Sequence, residues 1–320
     1  MTRTSEAARG IQGLVWLLLS VVCWSANADR LRIATWNLNN LHSVVGEPLR
    51  PGAPARSAAD FEILADYARR LNADVIALQE VSSPDAVAML FPPSQYEIHL
   101  SGRYYADLSR QRQTDRIYTA FAVRRNRVDM ISVEDVPSLG VTLGNGHRTR
   151  HGLELVVNWR GEPLHLLSVH LKSGCFAGAL TRPRSTACRI LSAQVPSLER
   201  WIDQRVAQGH ALVVLGDFNR AFDVHGGRDH FWRDIDDREP TELELWRLPF
   251  GTRSNCWRGT PRYHPDPIDF MVFDQRAWRW VDRNSFALID YDDVDRDADR
   301  GTPSDHCPAL VDLDSNLRQE

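Results

Sequence analysis

The chain has 320 residues with a formal net charge of −4, and 25% of its residues are charged. This length could hold two domains of about 150 residues each, but no repeat and no long linker divides the sequence, so one domain is expected. The acidic balance excludes nucleic-acid binding by net charge alone, because a polyanion would then need a local basic patch or a bound metal ion to hold it.

The first 28 residues have the layout of a signal peptide. A cationic start precedes an apolar run at 14–24, and the small-x-small triplet Ala26-Asn27-Ala28 follows. The apolar run has only about a dozen residues, whereas a membrane-spanning helix needs about 20. We therefore expect cleavage after Ala28, export to a periplasm or to the exterior without a stable membrane anchor, and a mature domain of residues 29–320.

Four cysteines follow the signal peptide, at positions 175, 188, 256 and 307. An even number in an exported chain favours disulfides over free thiols, and three pairings are open. The pairing of Cys175 with Cys188 is favoured because both lie in one loop rich in Gly, Pro and Arg, which a bridge would close and stabilise by about 3 kcal/mol. Cys256 is then left to pair with Cys307.

Short apolar runs with β-branched residues recur along the chain and are typical of strands buried on both faces. In chain order they lie at 31–36, 74–79, 118–123, 153–159, 164–170, 211–216 and 268–273, and a last apolar run lies at 308–313. The close spacing of the runs beginning at 118, 153 and 164 predicts antiparallel hairpins.

Two helices are predicted between these runs. Ser57 with Asp60 three residues later forms an amino-terminal cap signature, and an apolar stripe continues to Leu71. A second helix is predicted over about 186–208, where Pro196 marks a kink or the true start. The fold class is therefore α/β with mixed sheets.

Polar residues that are able to do chemistry lie at the ends of the apolar runs, where loops on a rigid scaffold carry function. They are Asn37, Asn39, Glu80, His170, Asp217, Asn219, Asp269 and the triplet Ser304-Asp305-His306. Taken singly, each has an ordinary structural explanation, since asparagines form turns, carboxylates cap helices, and a histidine that ends a strand is commonly a hydrogen-bonded core residue.

Six segments, taken together and in order, resemble the endonuclease/exonuclease/phosphatase superfamily. They are TWNLN at 35–39, ALQEV at 77–81, SVHLKS at 168–173, LGDFN at 215–219, IDF at 268–270 and SDH at 304–306. The resemblance implies a four-layer αββα sandwich with two mixed β-sheets and an active site at one end of the sheets. It also implies hydrolysis of a phosphoester with the help of Mg²⁺ or Mn²⁺.

The resemblance also implies a metal site. Glu80 is similar to the main metal-binding carboxylate of the family, and Asn37 and Asp305 are similar to its supporting ligands. Oxygen ligands of this kind suit a hard cation that keeps water molecules and takes a phosphate oxygen.

The catalytic roles follow from the same resemblance. Asp217 is similar to the group that orients or deprotonates the attacking water, and Asn219 to a group that holds Asp217 or the phosphate. His306, polarised by Asp269, is similar to the histidine that stabilises phosphate charge or acts as general acid. His170 matches the second histidine of pancreatic-type deoxyribonucleases and sphingomyelinases.

Three residues are assigned to the substrate side of the site. Tyr118 matches a phosphate-contacting tyrosine of the family, with a packed aromatic as the alternative. Arg150 lies where pancreatic-type deoxyribonucleases place a phosphate-contacting arginine, with a solvated turn as the alternative. Asn39 replaces the metal-binding aspartate of the abasic-site repair branch, and this replacement, together with export and disulfides, argues against a DNA-repair role.

The leading functional hypothesis is an exported nuclease with nucleic acid as its substrate, expected to act as a monomer. The alternatives are a phospholipid phosphodiesterase similar to sphingomyelinases, a small-molecule phosphoesterase, and an inactive binding module.

Two weaker sequence features leave their interpretation open. The stretch 246–263 interleaves arginines with aromatics and would suit either a nucleic-acid lip or a self-packing loop. Alternating aspartates at 293–299 suggest a structural Ca²⁺ site, although the EF-hand glycine and glutamate are missing.

Overall fold

The computed structural model describes residues 29–112, 116–142 and 148–317. The strands within these ranges are β1 Arg30–Leu41, β2 Val75–Val81, β3 Tyr96–Leu100, β4 Tyr118–Arg124, β5 Met130–Val136, β6 Gly152–Trp159, β7 Glu162–His170, β8 Ala211–Asp217, β9 Leu245–Leu248, β10 Asp269–Asp274, β11 Val281–Leu288 and β12 Ala309–Asp314. The α-helices are α1 Ala58–Leu71, α2 Pro84–Ala88, α3 Gly102–Leu108, α4 Thr186–Ala207, α5 Phe222–His225, α6 His230–Ile235 and α7 Gln275–Trp278.

The strands form two six-stranded sheets. The first has the order β11-β12-β1-β2-β4-β3, and the second has the order β5-β6-β7-β8-β10-β9. Each sheet has one parallel pair at its centre, β1 with β2 and β7 with β8, and its other pairs are antiparallel. Both sheets are therefore mixed, as the sequence predicts.

Side chains of successive strand residues enter different cores, which produces the layers. Ile33 of β1 lies in the core between the two sheets, whereas its neighbour Ala34 lies in the core that covers the outer face of the first sheet. Helix α1 contributes Leu64 to that outer core, and α4 contributes Leu198 to the corresponding core outside the second sheet. Strands buried on both faces explain the continuous apolar runs in the sequence. The arrangement is the predicted four-layer αββα sandwich.

Both predicted helices are present, with one correction. The side chain of Ser57 accepts a hydrogen bond from the backbone of Asp60, whose carboxylate accepts one from the backbone of Ser57, so α1 begins with a complete capping box. Helix α4 begins at Thr186 and continues through Pro196, which therefore does not mark its start. The cap at Ser185 and the apolar face buried against the second sheet hold the helix together despite the missing N–H of the proline.

The predicted hairpins need a second correction. Strands β6 and β7 do form an antiparallel pair. Strand β4, however, belongs to the first sheet, where it pairs with β2 and β3. After β4 the chain passes from the first sheet to the second. The close spacing of the apolar runs in the sequence gives no sign of this change of sheet.

The structure pairs Cys175 with Cys188 and Cys256 with Cys307, which is the predicted connectivity. Among the described residues, no helix combines the length and apolar character needed to cross a membrane. The predicted signal peptide lies outside the described residues.

Candidate active site

Strand register brings three of the predicted catalytic residues to one end of the second sheet. His170 of β7 lies opposite Asp217 of β8, and Asp217 lies opposite Asp269 of β10. The close approach of β7 and β8 requires glycine at position 216, because a Cβ atom there would lie 2.1 Å from the carbonyl oxygen of Val169. Three neighbouring strands thus hold these side chains next to one another.

The first sheet contributes Asn37 and Glu80 from an irregular strand end. The pairing of β1 with β2 is regular as far as Asn37 and Gln79 and then shifts. Asn39, Asn40 and Glu80 have φ angles of 44°, 56° and 60°, in the left-handed region that non-glycine residues rarely adopt. Such local strain is typical of functional sites, where the surrounding structure holds it in place.

Asn37 connects the two sheets at the site. Its Nδ2 donates to Asp217 Oδ2 at 3.0 Å and lies 3.4 Å from Glu80 Oε1. The other carboxylate oxygen of Glu80 accepts a hydrogen bond from the backbone N–H of Asn40 at 3.1 Å. One amide group therefore fixes the carboxylate from the first sheet relative to the carboxylate from the second.

Asp217 is a buried carboxyl group whose environment favours its neutral form. Burial, and then the negative charge of Asp269, raise the pKa of Asp217 to about 7. Asn219 opposes this by donating its backbone N–H at 2.8 Å and its side-chain amide at 2.9 Å. A carboxyl group with a pKa near neutrality is suited to take a proton from water.

His306 forms a second proton-carrying group with Asp269. Its Nδ1 donates to Asp269 Oδ2 at 2.7 Å, and its backbone N–H donates to Ser304 Oγ, which in turn donates to the carbonyl of Asn37. Burial alone would lower the pKa of His306, but the charges of Asp269 and Asp217 and the Asp269 hydrogen bond raise that pKa well above its usual value. The surroundings of His306 therefore favour its imidazolium form.

His170 lies beside the carboxylates, and its surroundings favour its neutral form. Burial, and then the charge of Arg150, lower its pKa well below the usual value. Arg150 Nε donates to His170 Nδ1 at 3.1 Å, and the Arg150 Nη2 group contacts His170 Nε2. His170 Nε2 also lies 3.4 Å from Asp217 Oδ2 and 3.5 Å from Glu80 Oε1. Arg150 thus lies at the carboxylate cluster, and its contact with substrate stays a prediction.

Two residues predicted to contact the substrate form hydrogen bonds within the protein instead. The hydroxyl of Tyr118 donates to Asp107 at 3.2 Å, and its buried ring packs edge-on against Tyr104, which favours the packed-aromatic alternative. The side-chain amide of Asn39 donates to the carbonyl of Gly301 at 3.1 Å, which gives it a role in fixing the strand end. A substrate role for either side chain stays a prediction.

The residues predicted to bind a divalent cation have suitable donor atoms. Both oxygens of Glu80 keep lone pairs beyond the contacts they make, and Asp305 is exposed on the loop that carries His306. Oxygen donors of this kind fit Mg²⁺ or Mn²⁺, which when bound neutralises charge on a phosphate oxygen. Asp217, Asp269 and His306 also converge, but the 2.7 Å hydrogen bond between His306 and Asp269 indicates that these two share a proton.

Three of the aspartates at 293–299, a stretch that the sequence suggests as a Ca²⁺ site, pair with other side chains. Asp293 contacts Arg296, Asp295 accepts from the Tyr67 hydroxyl, and Asp297 pairs with Arg300. Within the described ranges these carboxylates do not converge on a point where three of them could hold a metal ion. A structural Ca²⁺ site there stays a prediction.

Several residues that build the site were not singled out from the sequence. Arg56 is 2% exposed, and its guanidinium donates to the carbonyls of Leu38, Asn39 and Pro303, which ties the strand end of β1 to the loop that carries His306. Its position in a polar loop gave no signal of burial. Gln79 gives a weak signal, because it is a polar residue inside an apolar strand.

Gln79 links the two sheets below the site. Its side-chain amide lies 3.3 Å from Thr35 Oγ1 on β1 and 3.3 Å from Ser168 Oγ on β7, and all three residues are buried. Gln79 directly precedes Glu80, and Ser168 lies two residues before His170. The link therefore helps to set the distance between the carboxylate of the first sheet and the groups of the second.

The arrangement separates a proton acceptor from a proton donor within one site. Asp217 can take a proton from water, and His306 can stabilise charge on a phosphate or give a proton to it. A carboxyl group with a pKa near neutrality and a histidine whose surroundings favour its charged form are suited to act as base and acid in one reaction. Such proton transfer contributes about 100- to 10,000-fold to a rate.

Comparison with known proteins agrees with this geometry. The model of the endonuclease/exonuclease/phosphatase family matches residues 34–306. A search of curated proteins gives no match.

Solved structures show the same fold. The human Nocturnin catalytic domain with bound sulfate is 16% identical, with 89% of this chain and 94% of that chain covered and a TM-score of 0.54. D. rerio TDP2 complexed with single-strand DNA product is 18% identical, with 89% and 99% covered and a TM-score of 0.55. A Bacteroides thetaiotaomicron protein of the family is 17% identical, with 90% and 99% covered and a TM-score of 0.57.

The family model spans most of the chain and includes the strand ends that carry Asn37, Glu80, Asp217 and His306. The chain therefore belongs to the endonuclease/exonuclease/phosphatase family and is a hydrolytic phosphoesterase.

Proposed function

We propose that this phosphoesterase is a metal-dependent nuclease that hydrolyses phosphodiester bonds of DNA or RNA. The observation that carries the proposal is the convergence of Asp217, Asp269 and His306, with the pKa of Asp217 raised to about 7 and that of His306 raised above its usual value. Asn37 joins this group to the Glu80 carboxylate through its contact with Asp217. Water activation at Asp217 and charge stabilisation at His306 are the two tasks that such a hydrolysis requires.

Glu80, Asn37 and Asp305 would hold the cation in this proposal. Mg²⁺ and Mn²⁺ both suit these oxygen donors. Arg150, which lies against His170 and near Glu80, would neutralise charge on the phosphate from the other side.

A nucleic-acid substrate is supported by one neighbour of known structure. The D. rerio TDP2 structure, which shares this fold, contains a single-strand DNA product. A phospholipid or a small phosphoester would use the same chemistry, so the substrate must be tested by direct comparison.

We also propose that the protein is exported. Two disulfides support this, because such bonds persist in oxidising compartments. Cell fractionation and the amino-terminal mass of the native protein test it. A mature chain that begins at Asp29 outside the cytoplasm is expected, and an intact Met1 in the cytoplasm would contradict it.

The substrate test compares supercoiled plasmid DNA, RNA, sphingomyelin vesicles and a generic phosphodiester, each with Mg²⁺, Mn²⁺ or a chelator. Cleavage of DNA or RNA that requires the metal and is lost in His306→Ala is expected. The matched control is His230→Ala, because His230 is a half-buried histidine at the start of α6, outside the acid–base pair and away from the residues that surround His306. Turnover of the lipid alone would overturn the nuclease proposal but keep the chemistry, and no turnover of any substrate would leave an inactive binding module.

A further inference from the structure

We infer that a cavity next to His306 is a subsite for a planar group of the substrate, namely the base of a nucleoside whose sugar carries the scissile phosphate. This inference rests on the proposed function and adds a specificity-determining site to it. The cavity, called here the Phe176 cavity, has a volume of ≈ 580 Å³ and is lined by Phe176, Val224, His264, Ile268 and His306, among others. Binding pockets for small molecules commonly have volumes of about 300–1,000 Å³.

The position of the cavity determines which part of the substrate enters it. Asp269, Asp305 and His306 form part of its wall. A phosphate placed against His306 would therefore direct one of its two substituents into the Phe176 cavity. The cavity is continuous with the acid–base pair rather than a separate surface feature.

The lining favours an uncharged planar group over a second phosphate. Phe176 and Val224 are each 47% exposed, which is unusual for large apolar side chains and leaves their surfaces free for contact. Arg262, a cation in the wall, already donates to the carbonyls of Ala298 and Asp299. The carboxylates of Asp266 and Asp305 also line the cavity and would repel an anion.

Two disulfides hold segments that line the Phe176 cavity. Cys175 precedes Phe176 and is bonded to Cys188 at the start of α4. Cys256 also lines the cavity and is bonded to Cys307, the residue after His306. Each disulfide thus fixes one segment of the lining beside the site.

Backbone hydrogen bonds hold the Phe176 wall further. The carbonyl of Phe176 accepts from the backbone N–H of Ala221 at 2.8 Å, and His225 Nε2 lies 2.9 Å from the carbonyl of Ala177. A pocket whose walls are fixed before binding loses less entropy when it takes a rigid planar group.

Direct binding tests the inference without requiring turnover. Calorimetry would compare thymidine 5′-monophosphate, thymidine 3′-monophosphate, ribose 5-phosphate, octyl phosphate and inorganic phosphate, each with Mg²⁺ present. At least one of the two nucleotides is expected to bind about tenfold more tightly than ribose 5-phosphate, as stacking of a base on an aromatic ring allows. In Phe176→Ala that preference should fall to about twofold or less, with the affinity for inorganic phosphate unchanged.

Two further variants make the result specific. Phe176→Leu keeps an apolar side chain without a ring and is expected to lose most of the nucleotide preference. Phe250→Ala is the matched control, because Phe250 is 67% exposed and lies outside the Phe176 cavity. It should bind every ligand as the unchanged protein does.

Several outcomes would overturn the inference. These are equal binding of nucleotides and ribose 5-phosphate, tighter binding of octyl phosphate than of nucleotides, or an equal loss of affinity for all ligands in Phe176→Ala. Nucleotide preference without cleavage of DNA or RNA would instead support the subsite while overturning the nuclease proposal, so the two failures are distinguishable.

Discussion

Replacing Asp269 with asparagine should move both limbs of the pH–activity profile in the same direction. The substitution keeps the size of the side chain but removes its charge. In the structure Asp269 accepts a 2.7 Å hydrogen bond from His306, and its charge raises the pKa of both His306 and Asp217. Activity is expected to rise as Asp217 loses its proton and to fall as His306 loses its own.

The size of the effect follows from the hydrogen bond. A hydrogen bond to a charged group contributes about 1.5–3 kcal/mol. Each 1.36 kcal/mol is a factor of ten in proton affinity, so His306 should hold its proton about 10- to 100-fold less tightly in Asp269→Asn. The alkaline limb therefore moves to lower pH, and the acid limb, set by Asp217, moves to lower pH by a smaller amount.

Folding stability gives a second readout with a defined sign. His306 has a folded-state pKa raised above its ordinary value of 6.5, so the stability that it contributes is complete below that value. This contribution is lost as the pH rises through the raised folded-state pKa. Asp269→Asn should remove part of it, and its free energy of unfolding should differ most from that of the unchanged protein at acidic to neutral pH.

The assay is steady-state hydrolysis of one phosphodiester from acidic to alkaline pH, together with NMR titration of the His306 imidazole. Asp266→Asn is the control, because Asp266 is an exposed aspartate that lines the same cavity without bonding His306. An alkaline limb that stays in place in Asp269→Asn, or one that moves equally in Asp266→Asn, would refute the assignment of the acid–base pair.

Three other changes give expected outcomes. Glu80→Gln keeps the side-chain size but should weaken Mg²⁺ binding in calorimetry and lower hydrolysis by about 100-fold or more, since a bound metal supplies several kcal/mol; unchanged metal binding would reject Glu80 as a ligand. Replacing both Cys256 and Cys307 with serine opens a bridge that spans 51 positions and should lower the free energy of unfolding by about 4 kcal/mol in denaturant titrations, and a loss under about 1 kcal/mol would contradict this. Arg205→Met removes a 2.6 Å ion pair from the buried carboxylate of Glu154 and should lower stability by about 3 kcal/mol at neutral pH. Burial alone would raise the pKa of Glu154, but its hydrogen bonds and the charge of Arg205 lower it. The stability that the ion pair contributes is therefore present above the pKa of this carboxyl in the unfolded chain, and it is lost as the pH falls through the lower pKa of the folded protein. The variant and the unchanged protein should therefore converge in acid, and a gap that persists there would contradict the assigned role of Glu154.

The sequence predicts those features that local patterns determine. The capping box of Ser57 and Asp60 and the apolar runs of the central strands are local signals, and the structure confirms them. The residues that meet at the candidate site were predictable because most of them lie at strand ends and because their order along the chain resembles a known family. The pairing of Cys175 with Cys188 followed from their closeness in one loop.

Features that depend on contacts between distant segments were not predictable. The assignment of β4 to the first sheet depends on its pairing with β2 and β3, which its own residues do not encode. Arg56 is buried only because three backbone carbonyls surround it in the folded chain. The Phe176 cavity likewise requires two loops that are far apart in the sequence.

Single-turnover cleavage of a short labelled oligonucleotide, measured while Mg²⁺ is titrated, tests the central claim most directly. Unchanged protein, Glu80→Gln and His306→Ala would be compared in DNA and RNA versions of the same strand. We expect saturable dependence on Mg²⁺, a much higher Mg²⁺ requirement in Glu80→Gln, and a slow rate at every Mg²⁺ concentration in His306→Ala. Cleavage that persists in chelator, or that both variants retain at the full rate, would contradict a metal-dependent nuclease built on these residues.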